Sequence, residues 1–242
     1  MPLVTSLVFG YKFEESTGAG TWVDVLATYD LTATGTITSA TGIIGQAASG
    51  FTNATNYLTL ASAPIGAAPY SVSCWVYFTA VPAGYLWAQS LLTVAKEFLR
   101  VNSGRSATVA FETASYSVIP TQSVWHHVVG VNDGTTVKLY YDGVLRASAS
   151  AVAFVVSDAM SVGSLAASTV VSGRMDSVYG WSKALTDGSV SVGETAGGEV
   201  AQLYAAGAGL DYPFPESFTK LAGRGGLAGV GGIMVGPGGM AG

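Results

Sequence analysis

The strongest structural signal in the sequence is WHHVVGVNDGTTVKLYYDG, residues 125–143. Apolar side chains recur at alternate positions on both sides of Asp133-Gly134, as they do in strands that bury one face. An Asp-Gly pair between such runs favours a tight hairpin turn with positive φ at both central residues. Asp142-Gly143 indicates a second turn where the second strand ends. The stretch therefore predicts an antiparallel β-hairpin.

Outward from this hairpin, the chain consists of short β-branched and aromatic runs separated by Gly, Asn, Asp and Ser turns, as far as about Glu216. Such spacing is typical of β-sandwiches and jelly rolls. One segment, Glu199–Ala206, has a helical pattern and is followed by Gly207 in the position that commonly ends a helix. We therefore predict an all-β fold, a two-sheet antiparallel jelly-roll sandwich with one short C-terminal helix.

The composition narrows the classes of partner. Charged residues make up 10% of the chain and the net charge is −5, with no cluster of Lys or Arg, so we expect no nucleic-acid partner. The single cysteine, Cys74, excludes an internal disulfide framework, and its alternating strand context predicts a buried, inert thiol. No stretch predicts membrane insertion. Met1–Thr5 lacks the basic and apolar regions of a cleavable signal peptide. The protein is then intracellular at birth, or exported without a cleaved signal, or a mature form, and a virion or extracellular protein fits the second case.

A change of composition after residue 216 divides the chain into a predicted jelly-roll domain, 1–216, and a Gly-rich apolar tail, 217–242. Residues 222–242 contain ten glycines, and ordering such a segment costs about 1–2 kcal/mol per residue. A packing surface must offset that cost, either on a neighbouring subunit, which we favour, or on the same sandwich. The tail is therefore predicted to be an assembly arm. Its candidate contact residues are Leu227, Val230, Ile233, Met234 and Val235.

Three stretches resemble the laminin-G-like, or concanavalin A-like lectin/glucanase, superfamily. They are residues 45–60, 125–143 and 173–187, of which the hairpin is the most specific. With Leu7–Glu15 as a first strand, the resemblance covers about residues 3–214 and implies a jelly-roll fold with glycan binding or, in some members, glycan hydrolysis. The chain departs from the family pattern at Gly188–Gly198, which is inserted between the last turn and the short helix.

Calcium is a second point of departure from the family. Members that bind calcium generally use acidic loop residues, whereas this chain has Asn53 and Asn56 in the corresponding stretch. Amide oxygens can ligate Ca²⁺, but fewer carboxylates make the binding weaker. We therefore assign no metal ligand and no cofactor, and leave weak, calcium-assisted binding open.

Catalysis by paired carboxylates is not predicted. A glycosidase needs two carboxylates that face each other across a cleft, and the sequence contains neither Glu-x-Asp nor Asp-x-Glu. The adjacent Glu14 and Glu15 would point to opposite faces of a strand. His126 and His127 would diverge in the same way, one near the core and the other outward or under a loop, in structural roles. We therefore predict that the protein is not an enzyme.

Aromatic side chains on a loop edge could stack on sugar rings. Tyr85 and Trp87 are the best candidates because they follow a turn, although most aromatics are expected in the core. The low charge and the tail favour a structural subunit, a homo-oligomer or part of a larger virion assembly of the phage decoration, tail or fibre type. The alternative is a carbohydrate-binding lectin or adhesion module, with Tyr85, Trp87, Asn53 and Asn56 as ligand-binding residues.

Overall fold

The structure is a computed structural model that describes residues 3–51, 55–80, 84–89, 97–102, 108–152, 159–164, 171–186 and 198–214. Within these residues the chain forms sixteen β-strands, a short α-helix and a 3₁₀ turn. The strands form two antiparallel sheets of eight. The predicted all-β, two-sheet jelly-roll sandwich is confirmed.

The first sheet, named sheet A, holds the long strands of the molecule. Its strands are β1 (Leu7–Tyr11), β4 (Thr38–Thr41), β5 (Gln46–Phe51), β7 (Tyr70–Phe78), β12 (Trp125–Asn132), β13 (Thr136–Tyr141), β14 (Val144–Ser150) and β16 (Gly173–Trp181). They are ordered β14-β13-β12-β7-β16-β5-β4. β5 pairs with the first half of β16, and β1 pairs with its second half along the same edge.

The second sheet, named sheet B, packs against sheet A. Its strands are β2 (Thr21–Trp22), β3 (Leu31–Thr34), β6 (Tyr57–Leu60), β8 (Gly84–Gln89), β9 (Glu97–Asn102), β10 (Thr108–Phe111), β11 (Ala114–Ser117) and β15 (Met160–Val162). They are ordered β11-β10-β9-β8-β15-β6-β3-β2. The predicted first strand, Leu7–Glu15, is too long, because β1 ends at Tyr11 and Phe13 takes a positive φ of 58° that no strand accommodates.

The main hydrophobic core lies between the two sheets and is built from alternate side chains of each strand. Cys74 is fully buried in it, beside Val72 and Val76, as predicted. Gly130 marks a close approach of the sheets, since a Cβ at that position would lie 2.1 Å from the ring of Phe111. Alternation in the sequence therefore reports the inner face correctly for β7 and β13, whereas the alternating apolar side chains of β12 lie on the outer face, because β12 is buried on both sides.

The predicted hairpin is present, but the turn with positive φ at both central residues is the second Asp-Gly pair and not the first. Between β12 and β13, Gly134 has φ 93° while Asp133 does not take a positive φ. Instead, the Asp133 carboxylate accepts the backbone N–H groups of Thr135 and Thr136 at 2.9 and 2.7 Å. The pair with positive φ at both residues is Asp142-Gly143, at 51° and 74°, between β13 and β14.

A second hydrophobic cluster lies on the outer face of sheet A, away from sheet B. It forms where α1 (Glu199–Tyr204), a 3₁₀ turn at Ala205–Gly207 and the chain to Phe214 pack on the sheet. The predicted helix is confirmed and ends two residues early, because Ala205 adopts the left-handed conformation. Part of this outer face is thus covered by the C-terminal part of the described chain.

Glu199 holds together the two chain segments that flank the predicted insertion. Its carboxylate accepts from Lys183 Nζ and, at 3.0 Å, from the backbone N–H of Thr186. The Thr186 hydroxyl in turn accepts the Glu199 backbone N–H at 3.0 Å. The intervening residues 187–197 lie outside the described residues, as do residues 215–242 with the five predicted assembly contacts.

Candidate binding surface

The part of sheet A's outer face that α1 leaves uncovered carries a row of cross-strand neighbours. Strand pairing aligns Trp125 of β12 with Tyr77 of β7, and Tyr77 with Arg174 of β16. The row continues through Ser49 of β5 to Thr38 of β4. Side chains directly opposite each other in paired strands lie on the same face, so these five residues form one line across five strands. We name this line the outer row.

The three large side chains of the outer row touch one another and remain partly exposed. The rings of Trp125 and Tyr77 have centroids 5.5 Å apart and are tilted by 59°. The guanidinium carbon of Arg174 lies 4.9 Å from the centroid of the Tyr77 ring, within the range of a cation–π contact. All three residues are half-buried. Tyr77 thus fixes the positions of an indole on one side and a guanidinium on the other.

Within the described part of the chain, the charge of Arg174 has no acidic partner. Its Nη1 donates to the backbone carbonyl of Thr41 at 3.1 Å. None of the ion pairs between described residues involves Arg174. Since a guanidinium carries five N–H donors in a planar fork, most of its donors stay available to another molecule.

Immediately beside the outer row, the same sheet face is closed. His127, Trp75 and Asp176 form the next cross-strand line. Tyr204 of α1 stacks on Trp75 with ring centroids 5.8 Å apart, and Trp75 stacks on His127 at 4.8 Å. Trp75 and His127 are almost fully buried as a result. The open surface therefore ends at Tyr204.

Asp176 is a buried carboxylate that organises the turn between β4 and β5. Its Oδ2 accepts the backbone N–H groups of Ile43 and Ile44 at 2.9 and 3.1 Å, and its Oδ1 accepts from the hydroxyl of Ser177. Burial raises the pKa of Asp176 to about 7, although these hydrogen bonds favour the charged form. The carboxylate supports the strand edge next to Thr41, which in turn holds Arg174.

The two adjacent histidines diverge as predicted and contact protein groups. His127 Nε2 lies 2.8 Å from the Ser73 hydroxyl under α1, and burial lowers the pKa of His127 to about 3. His126 Nδ1 lies 2.9 Å from the Asp142 carboxylate, and its Nε2 donates to the Thr121 carbonyl at 3.0 Å. Both rings therefore serve the packing of the hairpin and helix.

The ligand-binding residues expected from sequence do not form one site within the described structure. Trp87 is fully buried in the core between the sheets, so its ring offers no face to a ligand. Tyr85 lies on β8, and its side chain is outside the described residues, as is all of Asn53. Asn56 is a structural residue that donates to the carbonyls of Gly50 and Thr36 at 2.9 and 3.2 Å.

The acidic residues of the described structure bind backbone and neighbouring side chains. Glu14 accepts the Gln46 N–H and Glu15 the Val23 N–H, so the adjacent pair serves two different segments. Glu112 is buried, and accepts from Tyr70 and Asn132. Among the described residues, no group of three or more His, Cys, Asp and Glu is placed to hold a metal ion.

The outer row escaped sequence reasoning because it depends on strand register. Tyr77 sits out of phase with the inner-facing Cys74 and Val76, and this phase marks an outward side chain. Trp125, in contrast, shares its phase with apolar positions of β12, which is buried on both faces, so alternation alone does not mark it as outward. What a single sequence lacks is the pairing of β12, β7 and β16, which brings Arg174 to these two rings although it is 49 residues from Trp125.

Solved structures of other proteins share this fold. Domain 4 of AbnA, an extracellular arabinanase from Geobacillus stearothermophilus solved with arabinotriose, is 20% identical with a TM-score of 0.59, covering 75% of this chain and 94% of that domain. A Trypanosoma rangeli sialidase is 14% identical with a TM-score of 0.59, covering 86% of this chain and 34% of the sialidase. The binding domain of Paraclostridial Mosquitocidal Protein 1 is 12% identical with a TM-score of 0.57, covering 82% of this chain and 52% of that one.

These likenesses show the fold, and the chain spans about a third of the sialidase and half of the toxin domain. No curated protein sequence matches the chain. Of the helices in the described residues, none has the length and apolar character needed to cross a membrane. The family model described as the concanavalin A-like lectin/glucanases superfamily matches residues 51–191, more than half of the 242 residues. On that match, and with its two antiparallel sheets, the chain belongs to the concanavalin A-like lectin/glucanases superfamily.

Proposed function

We propose that the protein is a non-catalytic carbohydrate-binding module and that the outer row is its binding surface. The observation that carries the proposal is the register of Trp125, Tyr77 and Arg174 on an uncovered sheet face. An aromatic ring offers an apolar face to the C–H groups of a sugar, and a nearby polar group fixes its orientation. The carbohydrate-binding fold of the arabinanase domain solved with arabinotriose supports the same class of ligand.

The outer row supplies complementary contacts in a defined order. Trp125 provides the stacking surface, Tyr77 holds it in place, and Arg174 donates hydrogen bonds to sugar oxygens. Ser49 and Thr38, both partly exposed, extend the row with hydroxyl groups. Neighbouring strands lie about 4.8 Å apart, so a short oligosaccharide lying across the strands could contact several of these side chains at once.

Binding without catalysis agrees with how the buried acids are used. Asp176 and Glu112 are saturated by hydrogen bonds from within the protein. Neither lies in the outer row, which contains no acidic residue. The proposed role of this surface is therefore recognition, with the surrounding carboxylates as structural groups.

A role in a larger assembly, at a virion or extracellular surface, is the second candidate, and it rests on the composition of residues 222–242. The two roles are compatible in space. Phe214, the last described residue, packs on Tyr179 and Trp181 at ring distances of 5.0 and 6.2 Å. Trp181 and Arg174 are seven residues apart on β16, or roughly 20 Å at the usual rise of a strand. The tail is thus expected to leave the sheet far from the outer row.

Testing the proposal requires a ligand first and a variant second. A glycan array, read with and without a calcium chelator, identifies binding oligosaccharides and tests the calcium-assisted alternative. Calorimetry with the best binder then compares the natural protein with Trp125→Ala and with Val23→Ala, a half-exposed control beside sheet B. We expect Trp125→Ala to weaken binding about tenfold or more and Val23→Ala to leave it unchanged. Equal affinities in all three proteins would contradict the assignment of the site.

A further inference from the structure

We infer that the outer row selects acidic sugars, with Arg174 pairing to a sugar carboxylate while the ring beside it stacks on Trp125. This inference rests on the proposed glycan-binding function and narrows it to sugars that carry a carboxylate, such as uronic and sialic acids. It follows from the state of Arg174, whose guanidinium is partly exposed, contacts the Tyr77 ring and the Thr41 carbonyl, and has no acidic partner among the described residues.

The guanidinium is held in place before any ligand arrives. Its contact with the Tyr77 ring and its hydrogen bond to the Thr41 carbonyl restrain the long side chain at two points. A restrained side chain loses less conformational entropy on binding than a free one. A planar guanidinium also matches a carboxylate with two parallel hydrogen bonds, which are stronger than bonds to neutral sugar hydroxyls.

Unpaired basic side chains stand out in this protein, because it carries ten Lys and Arg against fifteen Asp and Glu. Lys12 is paired with Asp211, and Lys183 with Glu199. Arg174, in contrast, pairs with no acid that the structure describes, even though Asp176 is two residues away on the same face. The Asp176 carboxylate is taken up by the amides of Ile43 and Ile44.

The consequence is a local cationic position on an acidic protein. A neutral polysaccharide would gain no more binding energy from Arg174 than from an uncharged hydrogen-bond donor. A carboxylate would form a charge-assisted bond at a place where no acid of the described residues competes for the guanidinium. The arrangement of Trp125 and Arg174 on either side of Tyr77 is therefore suited to a sugar with one apolar face and one charged edge.

The test compares each acidic oligosaccharide with its own methyl ester, which keeps the ring and removes the charge. Uronic-acid and sialic-acid oligosaccharides and their esters are titrated into the full chain, into Arg174→Gln and into Arg174→Lys. We expect the natural protein to bind at least one acid about tenfold more tightly than its ester. Arg174→Gln should abolish that preference, so that acid and ester bind with similar affinity, and Arg174→Lys should keep part of it.

The outcomes separate this inference from the proposed function. Esters that bind as tightly as acids, or an Arg174→Gln variant that weakens both forms equally, would overturn the inference while glycan binding at the outer row stands. If neutral and acidic sugars all fail to bind, the proposed function falls with it. A thermal unfolding curve for each variant shows that the compared proteins are folded.

Discussion

Tyr204 stacks on Trp75 with ring centroids 5.8 Å apart and ring planes 14° apart. The contact places α1 directly on the outer face of sheet A and marks the border between the part of that face that α1 covers and the part that holds the outer row. Gly143 makes the approach possible, since a Cβ there would lie 2.6 Å from the Tyr204 ring. The helix, the second hairpin turn and β7 are thus fitted together at this point.

Removing the Tyr204 ring should loosen the helix without touching the outer row. We expect Tyr204→Ala to lower the free energy of unfolding by about 2 kcal/mol, because it deletes stacking on Trp75 and His127. Tyr204→Phe keeps the ring and should cost much less. Urea unfolding measures both variants, and a sugar affinity equal to that of the natural protein is expected for each. A large loss of affinity in Tyr204→Ala would show that the covered part of the face contributes to binding.

Asp176 should make the free energy of unfolding fall as pH rises, and comparison with Asp176→Asn should isolate this effect. Because burial raises its pKa from 3.8 to about 7 in the folded state, the folded protein holds that proton more tightly than the unfolded chain. Its contribution to stability is therefore complete below about pH 4 and is lost as pH rises through about 7. Asp176→Asn keeps an oxygen for the amides of Ile43 and Ile44 and has no proton to lose.

Unfolding free energies of the two proteins are measured from pH 4 to 9. The difference between them should move in favour of Asp176→Asn as pH rises through about 7. Buried His127, whose pKa is lowered to about 3, gives the opposite trend, since stability is lost as pH falls below its ordinary value of 6.5. Subtraction of the two curves removes that shared contribution. A difference that stays constant across this range would refute the role given to Asp176.

Glu199 should be essential for joining α1 to the end of β16. Glu199→Ala removes the Lys183–Glu199 ion pair and the acceptor of the Thr186 amide. We expect a loss of about 3 kcal/mol in unfolding free energy, as for other buried pairs broken on one side. Thr186→Ser retains the hydroxyl that accepts the Glu199 N–H and serves as the control. If Glu199→Ala loses less unfolding free energy than the control, Glu199 does not join α1 to β16 as described.

The predicted assembly arm can be tested by deletion. Removing residues 222–242 should leave a folded protein, because the buried contacts of the described domain end at Phe214. Light scattering at equal concentration should then report a smaller particle than the full chain, while sugar affinity stays the same. If both proteins form particles with the same number of subunits, the tail is not an assembly element.

Much of the fold could be predicted from local sequence, and the binding surface could not. Alternation in residues 72–78 and 136–141 gives strand identity and the inner face, since these properties depend on neighbours along the chain. In β12, which is buried on both faces, the alternating apolar residues Val129 and Val131 lie on the outer face instead. The sequence predicts positive φ at both residues of Asp133-Gly134, but the structure has this geometry at Asp142-Gly143. The Asp133 carboxylate accepts two backbone N–H groups and so stabilises a different turn. Trp87 was expected at a surface edge, yet β8 lies inside sheet B and directs this ring into the core.

The outer row illustrates the limit in physical terms. It is made by hydrogen-bonded pairing of strands that are far apart in the sequence, and a shift of one residue would turn every side chain to the opposite face. Alternation alone shows that Tyr77 points outward, but only the register places it between Trp125 and Arg174.

The most direct test of the outer row is an NMR titration that follows the indole N–H signals of the tryptophans. The protein has five, and four of them are buried, namely Trp22, Trp75, Trp87 and Trp181. Trp125 is half-buried, and its signal is assigned by its disappearance in Trp125→Phe. We predict that a binding oligosaccharide shifts the Trp125 signal strongly and leaves those of Trp22 and Trp87 in place. A saturating ligand that leaves the Trp125 signal unmoved would contradict glycan recognition by the outer row.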